Sequence, residues 1–268
     1  MCTTVTVITV VRNAEDSIRD TIKSVLAQTY TDMEYIIVDG LSTDKSYEYV
    51  CQYDEAFQRK KVGYIHVSEK DNGIFDAMNK AVQMAEGQWV CFMNADDKFH
   101  DAEVLTTVFA RSNIDSLTEY DVIYGDTVRI SNGKGEFGRA RPVEDIVLNM
   151  PFCHQSSFTR TERLRQMPFD LNYRVADYNF FLRLYRNGGK FFQVPVTIAD
   201  YSLDGYSNQN KYKTYLGTVA VKHDLGMLNQ YSLKQQLKNL YFKALLMDDH
   251  PFHGLVRLID GQVSRRKN

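Results

Sequence analysis

The sequence predicts an α/β protein with a mostly parallel sheet, helices on both faces and a helical C-terminal extension. Three observations carry this reading. Short β-branched, buried-type runs alternate with amphipathic segments through the first half of the chain. The alternation repeats about once per strand–helix unit of roughly thirty residues. From about Lys211 the chain reads as helical to its end. At 268 residues there is room for one large domain, or one domain with a substantial appendage.

Taken in order, Val5–Val11 is an apolar, β-branched strand, and Ser17–Gln28 sets Ile18, Ile22, Val25 and Leu26 on one helical face. Tyr35–Val38 is a strand, Asp44–Phe57 a helix and Val62–Val67 a strand. Ile74–Met84 places Met78, Ala81 and Val82 at helical spacing, with Gly87 as a natural stop. Trp89–Met93 is the next strand and Ala102–Ser112 the next helix. The rhythm then breaks. Asp121–Ile130 reads as a strand, and "SNGKGEFG" as the turn closing a hairpin. Val143–Asn149 is a short helix. Ala176–Arg186 is a strong one, with Phe180, Phe181 and Leu184 as core residues. Phe191–Val194 and Val196–Tyr201 are strands flanking Pro195. No repeat, low-complexity linker or clean domain boundary is visible.

The formal net charge of −2 gives no global pull toward nucleic acid. Of the four cysteines, none forms a CxxC pair, the spacing fits no zinc site, and Cys91 lies inside an apolar run. This is the usage of a reducing, cytoplasmic protein. "MCTTVTVITVV" has no basic leader and is too short to span a bilayer, so it reads as a strand.

In an open parallel sheet, ligands bind beyond the carboxyl ends of the strands. Here the first four strands end in Arg12-Asn13, in Asp39-Gly40, in Ser68-Glu69 with Asp71 beyond, and in "NADD", Asn94 to Asp97. These groups converge on one edge. No GxGxxG and no GxxxxGK[ST] follows a strand, so neither usual phosphate cradle is present. The edge is rich in acid instead. Acids hold a divalent metal that in turn binds phosphate, and an acid ending the second strand can accept hydrogen bonds from a ribose or base. A metal–nucleotide complex suits such an edge. Each feature also has a plainer reading: "NADD" as a solvated turn, Asp39 as a turn residue, and Arg12 as a surface arginine.

The segment "TVITVVRNAEDSIRDTIKSVLAQTYTDMEYIIVDGLSTDKS" resembles the opening of the family 2 glycosyltransferases, and "EKDNGIFDAMNKAVQMAEGQWVCFMNADD" continues the match in order and spacing. The similarity is specific over roughly the first hundred residues. It then thins to "HQSSF" and "VADYNFFLRL", which look like acceptor-side motifs of bacterial surface-polysaccharide enzymes of that family.

The resemblance implies a GT-A, Rossmann-like fold and an inverting, hexosyltransferase-type enzyme of polysaccharide biosynthesis. Its donor would be a nucleotide-sugar, usually a UDP-sugar, its cofactor Mg or Mn, and its acceptor a glycan or lipid-linked hydroxyl. It divides the chain into a catalytic domain, residues 1–210, and an extension, 211–268. Residues 1–100 would bind the donor and 101–210 the acceptor. Thr9 and Arg12 would lie near base and ribose, Asp39 at uracil or ribose, and Asp71 at the wall of the base pocket. Asn79 matches a recurrent position of less defined role. Asn94 stands where the family's DxD motif has its first acid. Asp96 and Asp97 remain as the candidates for the metal, one of them its direct ligand and the other reaching the ribose. Asp177 aligns with the catalytic base, although its place at a helix start also suits a cap. His154 is either an acceptor or phosphate contact or a core histidine. "DGYSNQN" is either a loop that closes over the donor or simply a loop. A sugar nucleotidyltransferase would want a Gly-rich, basic loop where "VVRNAEDS" stands, and a non-catalytic nucleotide-sugar-binding protein would not need Asp96, Asp97 and Asp177 together. Residues 250–268 combine apolar residues with Arg265, Arg266 and Lys267. They either pack on the catalytic domain or touch the inner face of the membrane peripherally.

Overall fold

The computed structural model describes residues 4–110, 117–131, 133–203, 211–228 and 233–246. The first helical and strand elements are β1 (Val5–Val11), α1 (Ile18–Leu26), β2 (Met33–Asp39), α2 (Ser46–Cys51), α3 (Asp54–Lys60), β3 (Gly63–Ser68), α4 (Ile74–Met84), β4 (Trp89–Phe92) and β5 (Lys98–Phe99). The later ones are β6 (Val122–Ser131), β7 (Lys134–Gly138), β8 (Ser157–Arg160), α5 (Thr161–Gln166), α6 (Ala176–Arg186), β9 (Phe191–Ser202), α7 (Lys211–Asp224) and α8 (Leu233–Leu246). The strands form one sheet in the order β3-β2-β1-β4-β8-β6-β9-β5, with β7 paired to β6 as a hairpin.

β1 is central because every one of its residues is buried and apolar or threonine. It runs parallel to β2 on one side and to β4 on the other. A strand covered on both faces has no polar side to show, hence the unbroken run "VTVITVV". The chain winds outward from β1 through β2 to β3 and then returns to β4 across β1. That reversal is a topological switch point, and it opens a crevice beyond the carboxyl ends of β1 and β4. The second half is antiparallel where β8 meets β4 and β6, and parallel again between β6 and β9.

Three elements differ from the sequence reading, each for a local reason. The single helix expected over Asp44–Phe57 is two, because the Val50 carbonyl takes the Tyr53 N–H and the Tyr64 hydroxyl, at 3.2 and 2.9 Å. In an uninterrupted helix that carbonyl would serve Asp54. The two strands expected around Pro195 are one, β9, in which the five residues from Gln193 to Thr197 oppose the three from Tyr124 to Asp126. The bulge absorbs the proline, which has no N–H to offer a ladder. Gly87 is not the stop of α4. The helix ends with Ala85 extended, and Gly87 instead gives its N–H to Thr6 Oγ1 and Glu34 Oε1 at 2.9 and 3.0 Å. A Cβ there would lie 2.6 Å from the Thr6 nitrogen. Gly87→Ala is therefore expected to destabilise the protein by about 1–3 kcal/mol, read as a lower urea midpoint at unchanged m-value.

Residues Thr106–Ala110 form a π-helical turn within the helix expected over Ala102–Ser112, and Val143–Val147 is a 3₁₀ helix. Phe180, Phe181, Leu184 and Cys91 are buried as expected, and Cys51, Cys91 and Cys153 are free thiols.

The chain falls into two compact units. The first runs to Leu203 without residues 172–175 and holds the whole sheet. The second gathers Asn172–Val175 with α7 and α8. In it Tyr215 stacks on Phe242 at 4.5 Å, and the Tyr173 hydroxyl donates to Asp224 at 2.7 Å. No helix among the described residues is long and apolar enough to cross a membrane. "DGYSNQN" and residues 250–268 lie outside the described residues.

Candidate active site

The crevice is built from four strand ends. Beyond β1 and β2, the two loops are buttoned together by side chains. Asn13 Oδ1 accepts the Thr43 N–H at 2.8 Å, and Ser42 Oγ accepts the Asn13 N–H at 2.8 Å. Among the described residues, four other than glycine have positive φ: Asn13 at 51°, Leu41 at 56°, Lys61 at 60° and Asp96 at 91°. Lys61 ends α3. The other three follow the carboxyl ends of β1, β2 and β4, so backbone strain is concentrated at one edge of the sheet, as is common at functional sites.

Asp39, the last residue of β2, is fully buried. Its Oδ2 accepts the Ser42 N–H at 3.0 Å and the Ser68 hydroxyl at 2.6 Å. Its Oδ1 is buried with no hydrogen-bond partner in the structure. A buried carboxyl oxygen left in that state is costly unless a ligand donates to it. Asp71 and the Arg12 side chain both crowd against Gly40, which has no Cβ to keep them away. Arg12 is exposed, and Asp71 Oδ1 accepts the Gly73 N–H at 2.8 Å. Arg12, Asp39 and Asp71 thus come together, as the sequence led us to expect.

Two expected residues do not join them. Thr9 is fully buried in the sheet, with its hydroxyl donating to the Met93 carbonyl at 2.5 Å and 2.8 Å from the Tyr35 hydroxyl. Its side chain ties β1 to the residue just past the end of β4. Asn79, on α4, spends both ends of its amide on the backbone of Phe169, at 2.9 Å each. It fastens a loop to a helix. Asn79→Ala would strand a backbone N–H and a carbonyl, so we expect about 1–3 kcal/mol lower stability by denaturation and unchanged nucleotide affinity by calorimetry.

The "NADD" turn separates its two acids. Asp96 is exposed on the strained turn. Asp97 is buried, with Oδ2 accepting from Gln155 Nε2 at 2.8 Å and Oδ1 from the Ser202 N–H at 3.0 Å. Burial pushes the Asp97 carboxyl up to about 6, against the pull of Ser202, Gln155 and His154. Of the two candidate ligands, Asp97 is thus held as a tether, and Asp96 is the one open to solvent. Among the described residues, no group of three or more His, Cys, Asp and Glu converges to hold an ion by itself. A divalent cation at Asp96 would take its remaining oxygens from a diphosphate and water, the manner in which Mg is ordinarily held at phosphate sites. The acidic edge and the exposed carboxylate fit that cation.

Asp177 opens α6. Its Oδ2 lies 3.0 Å from His154 Nδ1, and its Oδ1 accepts the Tyr178 N–H at 2.9 Å. Burial pushes the carboxyl upward, but the hydrogen bonds from His154 and the Tyr178 N–H act against it, and Asp177 is held below the ordinary carboxylate range. Held low, it is ionised, and its side chain is 20% exposed. His154 Nε2 in turn lies 3.2 Å from Asn94 Nδ2. The expected base and the first residue of "NADD" are thereby linked through one imidazole. Gln155 and Ser202, which hold Asp97, were not singled out by the sequence. Gln155 could have been, as the neighbour of His154 in "HQSSF".

Comparison with known proteins agrees with this architecture. The chain is 29% identical over 228 residues to the PGL/p-HBAD biosynthesis glycosyltransferase of Mycobacterium tuberculosis, spanning 84% of this chain and 87% of that one. S. aureus TarS 1–349 in complex with UDP-GlcNAc superposes with a TM-score of 0.65 at 19% identity, over 91% of this chain and 71% of TarS. The mannosyltransferase PcManGT of Pyrobaculum calidifontis, in complex with GDP-Man and Mn2+, gives 0.64 at 17% identity, over 98% and 75%. The fold is the GT-A fold that the resemblance implied. Residues 6–187 match the pattern of Glycosyl transferase family 2, and the protein belongs to that family.

Proposed function

We propose that this glycosyltransferase moves a sugar from a UDP-sugar to a hydroxyl of a glycan or lipid-linked acceptor in surface-polysaccharide synthesis, with inversion and with Mg or Mn. The observation that carries the proposal is the ionised, partly exposed Asp177, held by His154, which bonds to the same turn that bears Asp96. The two solved relatives, bound to UDP-GlcNAc and to GDP-Man with Mn2+, support a nucleotide-sugar donor and a divalent cation.

In this reading Asp39 offers its free Oδ1 to an N–H of the base. Uracil N3 and guanine N1 carry a ring N–H, and the cytosine ring of a nucleotide has none, so the pocket favours UDP over CDP. Arg12 and Asp71 flank the base and ribose. Asp96 holds the cation, which when bound neutralises charge on the departing diphosphate. Asp177 accepts the proton of the acceptor hydroxyl as its oxygen attacks the anomeric carbon from the face opposite the nucleotide. One displacement needs one base and no covalent enzyme intermediate, so the configuration inverts.

Thermal shift tests this directly. UDP with Mg or Mn is expected to raise the melting temperature, by about 2.7 kcal/mol of stabilisation at a hundred times Kd. CDP should raise it less, and EDTA should remove most of the UDP effect. Equal UDP affinity with and without EDTA would remove the metal from the proposal.

A further inference from the structure

We infer that Asn94 and His154 are positioning residues that lock the imidazole in the Nδ1–H tautomer and so hold Asp177 in place as the base. The inference rests on the reading of Asp177 given above. An ionised carboxylate only accepts hydrogen bonds, so the nitrogen facing it, Nδ1 at 3.0 Å, must carry the hydrogen. A neutral ring then has a bare Nε2, which needs a donor. The group 3.2 Å away is the amide nitrogen of Asn94, and its amide oxygen is left buried and unpartnered. Asn94 is buried and the His154 side chain is only 15% exposed, so Nε2 depends on that amide for its donor.

This gives the departure from the family's acidic pattern at residue 94 a physical reason. An aspartate there would offer acceptors alone. With Nδ1 already committed to Asp177, the ring would need a proton on both nitrogens and would sit as a cation between two carboxylates. Asp177 would then be drawn into an ion pair instead of being steadied by a neutral hydrogen bond. The same 3₁₀ turn, His154–Ser156, also presents Gln155 to Asp97. Two neighbouring residues therefore fasten both the base and the "NADD" turn to one short segment.

The test uses the full chain. The ¹⁵N spectrum of the His154 ring is expected to show a protonated Nδ1 and a bare Nε2 in the wild-type protein. Asn94→Asp is expected to lower kcat about ten- to a hundredfold, the range for losing a partner that orients an active group. Donor affinity, measured by calorimetry, should change little. At position 154 the two amides differ in reach. The His154→Asn nitrogen falls where Nδ1 was and keeps the Asp177 contact, whereas the His154→Gln nitrogen falls where Nε2 was. Hence kcat should decrease in the order wild type, His154→Asn, His154→Gln. An Nε2–H tautomer in the wild type overturns the inference, as does Asn94→Asp at wild-type kcat, or equal kcat in the two His154 variants. Asp177→Asn is the control. If it is inactive while the positioning variants match wild type, only this inference fails. If Asp177→Asn transfers normally, the assignment of the base fails first and the lock with it.

Discussion

Asp177→Asn is expected to slow sugar transfer by about two to four orders of magnitude, the usual contribution of a general base, while leaving the donor affinity near wild type. The substitution keeps the shape of the side chain and removes the charge that accepts the proton. Part of its surroundings tolerates the change. The remaining amide oxygen can still accept from His154 Nδ1, as Oδ2 does now at 3.0 Å. The amide nitrogen then faces the Tyr178 N–H, which at present donates to Oδ1. That donor–donor contact costs about 1 kcal/mol of stability and is checked by the melting temperature. The rate is measured in a single turnover at saturating donor and acceptor, so that a binding defect is not mistaken for a chemical one. Near-normal transfer would move the base elsewhere. Among the described acids Glu69 is the first alternative, although its ion pair with Lys80 at 3.4 Å makes it a poorer one.

How much of this was legible in the sequence depends on the distance over which each feature is decided. β1, β2 and β4 were readable because a strand buried on both faces is a nearly continuous apolar run, a property of consecutive residues. The convergence of Arg12, Asp39 and Asp71 followed from topology, since residues just beyond parallel strands share an edge. Side-chain direction did not follow. Thr9 and Asn79 are residue types that bind ligands readily, yet one serves a carbonyl just past a neighbouring strand and the other a loop ninety residues away. Asp97 looks the same as Asp96 on paper. Only the arrival of Ser202 and Gln155 from the second half of the chain decides that it turns inward. The breaks in the second helical segment and in β9 were hidden for the same reason: each is set by a partner, Tyr64 or the register of β6, that lies outside the segment itself.

The two acids of "NADD" are expected to fail in opposite ways. Asp96→Gly removes an exposed carboxylate and also a strained backbone, because φ at this position is 91° and glycine adopts that region freely. Metal-enhanced UDP binding should therefore fall by about a hundredfold or more, at least the loss seen when supporting partners of a metal ligand are removed. The melting temperature should hold or rise, since strain kept for function is released. Asp97→Ala should do the reverse. It strands Gln155 Nε2 and the Ser202 N–H in a buried setting, at a cost of about 2–4 kcal/mol, and loosens the attachment of β9 to the turn. Calorimetry with UDP and Mn, set against denaturation of the free protein, separates the two effects. If Asp97→Ala kept its stability and lost the metal response while Asp96→Gly kept both, the assignment of ligand and tether would have to be exchanged. A loss of metal response in both variants, with neither destabilised, would instead mean that the turn binds the cation through both carboxylates, and that the contacts of Asp97 to Gln155 and Ser202 give way when the donor enters.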